Sequence, residues 1–242
     1  HIPFTRIPRK HGSNTGSSRS FSSTRWNRPQ LVSSQIVTAK EYELPERNTT
    51  VDYKSHGLLL NFVWISGGWL LKGRMDANRL RSAIESSLSV FPWISSRFVY
   101  LDVKTQSISY ENQGVKLEIV CHPELSIDHH DTAKYENLQT ALKPYNRNIF
   151  FTADKPHLAA KQQDWPNIPM LTVQLNYLNT NSIQDVHNDA DEHAACIITF
   201  KLAHGLGDGY TGYLYMKYLS DYLSNHALDE YKDFVYHGIV HE

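Results

Sequence analysis

At 242 residues, 40% of them apolar, the chain is long enough to bury a sizeable core in one large domain or two small ones, which excludes a short module stapled by disulfides or metal. A formal net charge of −1 supplies no global field for nucleic acid or an anionic membrane, and no apolar run approaches the about eighteen residues that suggest a membrane span. The two cysteines, Cys121 and Cys196, stand far apart without a metal or redox spacing, so free thiols in a reducing compartment are expected.

Residues 1–34 carry six basic residues, eight serines and no acid, with no apolar period. That composition predicts a flexible basic extension, and a globular part spanning 35–242. The expected location is cytoplasmic. The alternative is mitochondrial, because an Arg- and Ser-rich, acid-poor start also suits a presequence, with RSFSS as a processing point. From Gln35 the pattern turns globular: SQIVTAKEYEL alternates as a first strand and LLLNFVWI reads as a second, central one. The longer stretch LLLNFVWISGGWLL, interrupted by Asn61, Ser66 and two glycines, reads as buried strands. Asp76 is placed to cap a helix with Leu80, Ile84, Leu88 and Phe91 on one face, closed by Pro92. RFVYLDV and SISYE form a hairpin across Lys104-Thr105, and VKLEIV follows as a strand. Residues 122–168 are polar and proline-punctuated, with one short helix expected around Tyr135 to Leu142. In MLTVQLNYL the residues Leu171, Val173, Leu175 and Tyr177 share one parity, and a long acidic loop leads on to a further strand.

That last strand leads into the most informative stretch, CIITFKLAHGLGDGYTGYLYMKYLSDYLS. Cys196, Ile198, Phe200 and Leu202 share one parity and Thr199 and Lys201 the other, which puts His204 on the buried side. Gly205, Gly207 and Gly209 free the backbone to turn, and Asp208 stands four positions past the histidine. A helix follows, striped by Leu214, Tyr218, Leu219, Tyr222 and Leu223, with Thr211 or Asp208 as its cap. A histidine and a carboxylate therefore meet at a strand-to-helix corner. A second pair of the same spacing, His187 with Asp191, has no apolar period around it and reads as a solvated loop.

Several other chemistries use these or neighbouring residues. Gly207, Gly209 and Gly212 spell a dinucleotide fingerprint, but the first glycine stands three residues beyond the strand, and Asp229, Glu230 and Asp233 precede the next candidate strand, FVYHGIV, instead of following it. A core histidine bonded to a capping aspartate remains a second alternative. Asp128, His129, His130 and Asp131, like His187, Asp189, Asp191 and His193, lack the fixed spacing of a zinc motif, so no metal site is expected. Cys196 and His204 lie eight residues apart along one strand, too far for a dyad. No nucleophile elbow or phosphate-binding loop is present. The tyrosines at 210, 213, 218 and 222 read as a packing face.

The stretch TFKLAHGLGDGYTG, with the helix behind it, resembles the His-x-x-x-Asp-Gly segment of the BAHD acyltransferases and their chloramphenicol acetyltransferase-like relatives. LRSAIESSLSVFPWISSRF is similar to that family's helix, proline turn and Gly-Arg segment, and NQGVKLEIV to the Gly-Val strand after it. The match runs from about residue 36 to 225, the amino-terminal half of a typical member. The family's second signature, Asp-Phe-Gly-Trp-Gly, is absent; Asp233-Phe234-Val235 does not supply it. The resemblance implies an α/β fold with a mixed sheet flanked by helices, one half of a two-domain chloramphenicol acetyltransferase-like architecture. It implies acyl transfer from acyl-coenzyme A, used as co-substrate, to a small alcohol or amine. His204 is then the general base, since an imidazole titrates near neutrality. Asp208 faces away from substrate, pairs with an arginine and holds the turn, while Gly209 serves the turn's backbone. A second domain or subunit covers the channel face. A peptide-synthetase-like condensation domain is disfavoured because its usual second histidine is here Ala203. A non-catalytic binding or scaffold domain that keeps the architecture is the alternative from a different class.

Overall fold

The computed structural model describes residues 29–40, 50–54, 64–101, 105–109, 111–123, 125, 147–151, 162–180, 195–207 and 209–228. Five strands form a mixed sheet in the order β1 (Gln30–Val37), β6 (Val115–His122), β7 (Leu171–Leu178), β8 (Ala195–Ala203) and β3 (Trp64–Lys72). Only β6 and β7 run parallel; every other neighbouring pair is antiparallel. A separate antiparallel sheet has the order β2 (Thr50–Lys54), β5 (Thr105–Ser109), β4 (Arg97–Leu101).

Helices α1 (Ala77–Val90) and α2 (Gly209–Leu223) pack on each other and on one face of the five-stranded sheet. As expected, Asp76 caps α1, its carboxylate accepting from the Asn78 backbone N–H at 2.8 Å, and Leu80, Ile84 and Leu88 are buried along one side. Phe91 ends the helix, and Pro92 opens a short 3₁₀ turn, Pro92–Ser95. The apolar parities of β6, β7 and β8 meet these helices. Leu117, Val173, Leu175, Ile198 and Phe200 lie in one cluster with Ile84, Tyr215 and Leu219.

Four expectations need correction. Strand β1 starts at Gln30, so the expected break after residue 34 falls inside a strand, and it ends at Val37, well short of Leu44. Of the central strand expected at LLLNFVWI, residues 58–63 lie outside the described residues; β3, which takes up Trp64 and Ile65, lies at the end of the sheet, and Gly67 and Gly68 run through its middle instead of breaking it. Its residues 64–71 are half-buried apart from exposed Ser66. The polar parity of β7 and β8 is not a solvent face either. Thr172, Gln174, Asn176 and Thr199 are all buried, because residues around Phe150 cover this side. Lastly, the inner face of α2 is Gly212, Tyr215, Met216, Tyr218 and Leu219, while Leu214, Tyr222 and Leu223 are half-buried at its margin. Packing against both the sheet and α1 selects a broader stripe than a single three-to-four repeat.

Strands β4 and β5 pair antiparallel with Leu101 opposite Gln106, as the expected hairpin requires, but Thr105 already belongs to β5, and residues 102–104 lie outside the described residues. The helix expected at 135–142, the acidic loop at 181–194 and FVYHGIV lie outside the described residues. Among the described residues, no helix is long and apolar enough to cross a membrane.

Candidate active site

Strand β8 ends at Ala203, and His204 opens a single 3₁₀ turn, His204–Leu206, before α2 begins at Gly209. The strand periodicity that predicted an inward imidazole therefore stops one residue too early to control it. The outcome is mixed: His204 as a residue is partly exposed, yet its Nδ1 is buried without a hydrogen-bond partner. With Nδ1 sealed, Nε2 is the nitrogen left to meet a molecule arriving from solvent.

The turn is anchored on both sides. The Ala203 N–H donates to the Met170 carbonyl at 2.8 Å, tying the strand end to the start of β7, and Trp64 of β3 stands opposite Ala203 across the ladder. Leu206 is buried in the helix-side core. Gly207 is extended, and a β-carbon there would lie 2.6 Å from the Thr211 hydroxyl oxygen, so the turn folds directly onto the first turn of α2. Thr211 is the third residue of that helix and is not its cap. Gly209 has no left-handed φ, and a β-carbon there would meet nothing within 4 Å. The close approaches in this corner belong to Gly207 and Gly212. Asp208 lies outside the described residues.

The same geometry bears on the rival chemistries. Strand β8 is antiparallel to both its neighbours, so the glycines at 207, 209 and 212 do not open a parallel βαβ unit of the dinucleotide-binding kind. Cys196 sits at the opposite end of β8 from His204, and burial pushes its thiol up to about 11, far from an activated thiolate. Among the described residues, no three His, Cys, Asp or Glu side chains group as metal ligands, and both stretches weighed for that role lie outside them. Tyr218 packs edge-on to Phe91, whereas Tyr210 and Tyr213 stack on each other and are 63% and 58% exposed, so the tyrosines split between core and surface.

Two buried polar groups were not singled out from the sequence. The Asn176 amide nitrogen donates to the carbonyls of Phe150 (3.2 Å) and Ile197 (3.1 Å), so its oxygen faces His122 Nε2 at 2.8 Å and the Gln174 amide at 2.6 Å. Because that oxygen can only accept, His122 carries its proton on Nε2. The other is Arg97, 3% exposed, whose guanidinium donates to the carbonyls of Ser95, Ser96, Gln113 and Gly114. Alternation in LTVQLNYL marks one apolar parity, and nothing local in the sequence announces that a second layer covers the other. A groove of about 600 Å³, lined in part by Asp76, Arg79, Tyr222, Asn225 and His226, lies at the far end of α2 from His204.

No family model matches the sequence, and no curated protein matches it. Solved structures do match. Vinorine synthase superposes with a TM-score of 0.50 at 13% identity, covering 83% of this chain and 44% of that one. F. sporotrichioides TRI101, complexed with coenzyme A and T-2, gives 0.52 at 13% identity, covering 76% of this chain and 42% of that one. Apo F. graminearum TRI101 gives 0.52 at 11% identity, covering 80% and 44%. The chain has the mixed α/β, chloramphenicol acetyltransferase-like fold. It spans less than half the length of these structures, and at such identities the likeness is one of fold.

Proposed function

We propose that this chain forms the histidine-bearing part of an acyltransferase that moves an acyl group from coenzyme A to the hydroxyl, or amine, of a small molecule. The reading is supported by a partly exposed histidine with one sealed nitrogen, standing at a strand-to-helix corner in a fold shared with a protein solved in complex with coenzyme A. His204 Nε2 accepts the acceptor's proton as its oxygen attacks the thioester carbonyl carbon. When the tetrahedral intermediate collapses, the carbon–sulfur bond breaks and the imidazolium returns the proton to the departing thiolate. Both substrates meet at one centre, so no covalent enzyme intermediate is required. Asp208, paired with an arginine, holds the turn. A second domain or subunit completes the channel and supplies most contacts to coenzyme A.

A non-catalytic binding domain with the same architecture is the competing reading, and one observation favours it. No described residue bonds His204 Nδ1, whereas a working general base is ordinarily oriented through that nitrogen. Thiol release from acetyl-coenzyme A, followed with a panel of alcohols and amines, separates the two. His204→Ala is expected to lower turnover by about 10²–10⁴-fold with an unchanged melting temperature. Near-normal turnover in that variant would end the general-base assignment.

A further inference from the structure

Phe200 lies on β8 four residues before His204 and is 7% exposed. Gly67 of β3 stands directly across the ladder from it, and a β-carbon at Gly67 would lie 2.6 Å from ring Cε1 and 2.9 Å from Cζ. From the helix side Gly212 closes in, where a β-carbon would lie 3.1 Å from both Cε2 and Cζ. Ordinary carbon–carbon contact is about 3.5–4.0 Å. The ring therefore fills a slot whose two walls, on β3 and on α2, are both backbone at glycine. Its thickness sets the height of the first turn of α2 above the sheet.

The His204 turn hangs between the strand that carries the ring and the helix that rests on it, leaving β8 at Ala203 and joining α2 at Gly209. A segment this short cannot absorb a relative shift of its ends without turning its side chains. Gly207, seated on the Thr211 side chain, leaves no slack on the helix side. We infer that Phe200, gripped between Gly67 and Gly212, is a positioning residue for the His204 imidazole. The inference rests on the acyl-transfer reading for its catalytic meaning.

The test uses the full protein with Gly212→Ala, which asks the ring to yield by a few tenths of an ångström, and Gly212→Ala/Phe200→Leu, which restores the space. Gly212→Ala is expected to unfold cooperatively near the wild-type temperature. Its kcat for acyl transfer falls about tenfold or more, since misplacement by about 1 Å can cost 10²-fold, while KM for acyl-coenzyme A stays within about twofold. The double variant recovers most of kcat. In parallel, the His204 ring nitrogen resonances move in Gly212→Ala and return in the double variant. An unchanged kcat, or a loss that Phe200→Leu fails to relieve, overturns the inference. If the wild-type protein transfers no acyl group, the functional reading fails separately. The ring resonances then decide the positioning role alone, and unshifted signals in Gly212→Ala refute it.

Discussion

Replacing Arg97 by methionine sets two opposed effects of similar size against each other. The buried guanidinium donates from Nη1 to the carbonyls of Ser95 (3.1 Å), Ser96 (2.8 Å) and Gly114 (2.9 Å), and from Nη2 to that of Gln113 (2.9 Å). No carboxylate pairs with it among the described residues, and burial pulls its pKa down from the usual guanidinium range to about 10. At about 1.4 kcal/mol per unit, the charge is held in the fold at a cost of roughly 3 kcal/mol. Removing it relieves that cost. Removing it also orphans three buried carbonyls at about 1–3 kcal/mol each, and the partly buried Gln113 carbonyl loses its donor as well. At the middle of that range the carbonyls outweigh the relief, about 6 against 3, so Arg97→Met should lower stability by roughly 3 kcal/mol. Arg97→Lys keeps the charge and three donors, but its single ammonium nitrogen can replace at most Nη1 and leaves the Gln113 carbonyl without the donor on Nη2, so it should recover only part of the loss. Urea unfolding followed by tryptophan fluorescence measures both, with an unchanged slope showing that the transition is comparable. A methionine variant within about 1 kcal/mol of wild type, or a lysine variant that restores it, would refute the account of Arg97 as a four-carbonyl staple between the Ser95-Ser96 turn and the entry to β6.

The remaining predictions concern pH, backbone conformation and thiol reactivity. Burial lowers the His122 pKa below 6.5, with the Asn176 hydrogen bond partly opposing it. The unfolded chain thus binds the proton first as pH falls, and the associated stability is complete above pH 6.5 and lost on acidification below it. His122→Gln, which can still donate to Asn176, should flatten the pH dependence of unfolding free energy between about pH 7 and 5; an unaltered slope would contradict this. Gly114 has φ +79° and a β-carbon there would approach the Val37 carbonyl oxygen to 2.5 Å, whereas Gly73, at φ +83°, has open space. Gly114→Ala should accordingly cost more than Gly73→Ala, which bears only the strain of about 1–3 kcal/mol; equal losses of melting temperature would show that the close approach is irrelevant. Cys121 and Cys196 both stand level with Tyr177, on the strands either side of it. They are therefore about 10 Å apart, beyond disulfide reach. Both thiols should label slowly in the native state and fully in denaturant, and rapid native labelling at pH 8 would argue against their burial.

Much of the fold was legible because the elements concerned carry their own signals. Asp76, the Leu80–Ile84–Leu88 stripe and Pro92 define α1 by local chemistry alone, and the apolar parities of β6, β7 and β8 meet the helices as the period of two requires. The strand–turn–helix around His204 was equally readable, because glycines cluster between an apolar run and an aromatic helix. Less legible was QLVSSQIV, whose exposed Leu31, Val32 and Ile36 follow no alternation. An edge strand borrows its register from β6, and its own sequence is free to drift. Gly67 and Gly68 read as a break for a related reason: their lack of side chains is useful only when the Phe200 ring and the Ile198 carbonyl are brought against them.

By itself, then, the sequence left β2 unread but determined the helices α1 and α2 and the strands β6, β7 and β8, which parity of β7 and β8 is apolar, and that a histidine stands at a strand-to-helix corner. These depend on residues close together in the chain. The tertiary structure alone decided that the polar parity of β7 and β8 is buried too, that Arg97 ties two turns together through backbone carbonyls, and that His204 turns one nitrogen inward while the residue stays partly exposed. Each of those outcomes depends on a partner distant in sequence, and burial and hydrogen bonding are properties of the assembled layers, which no local period encodes.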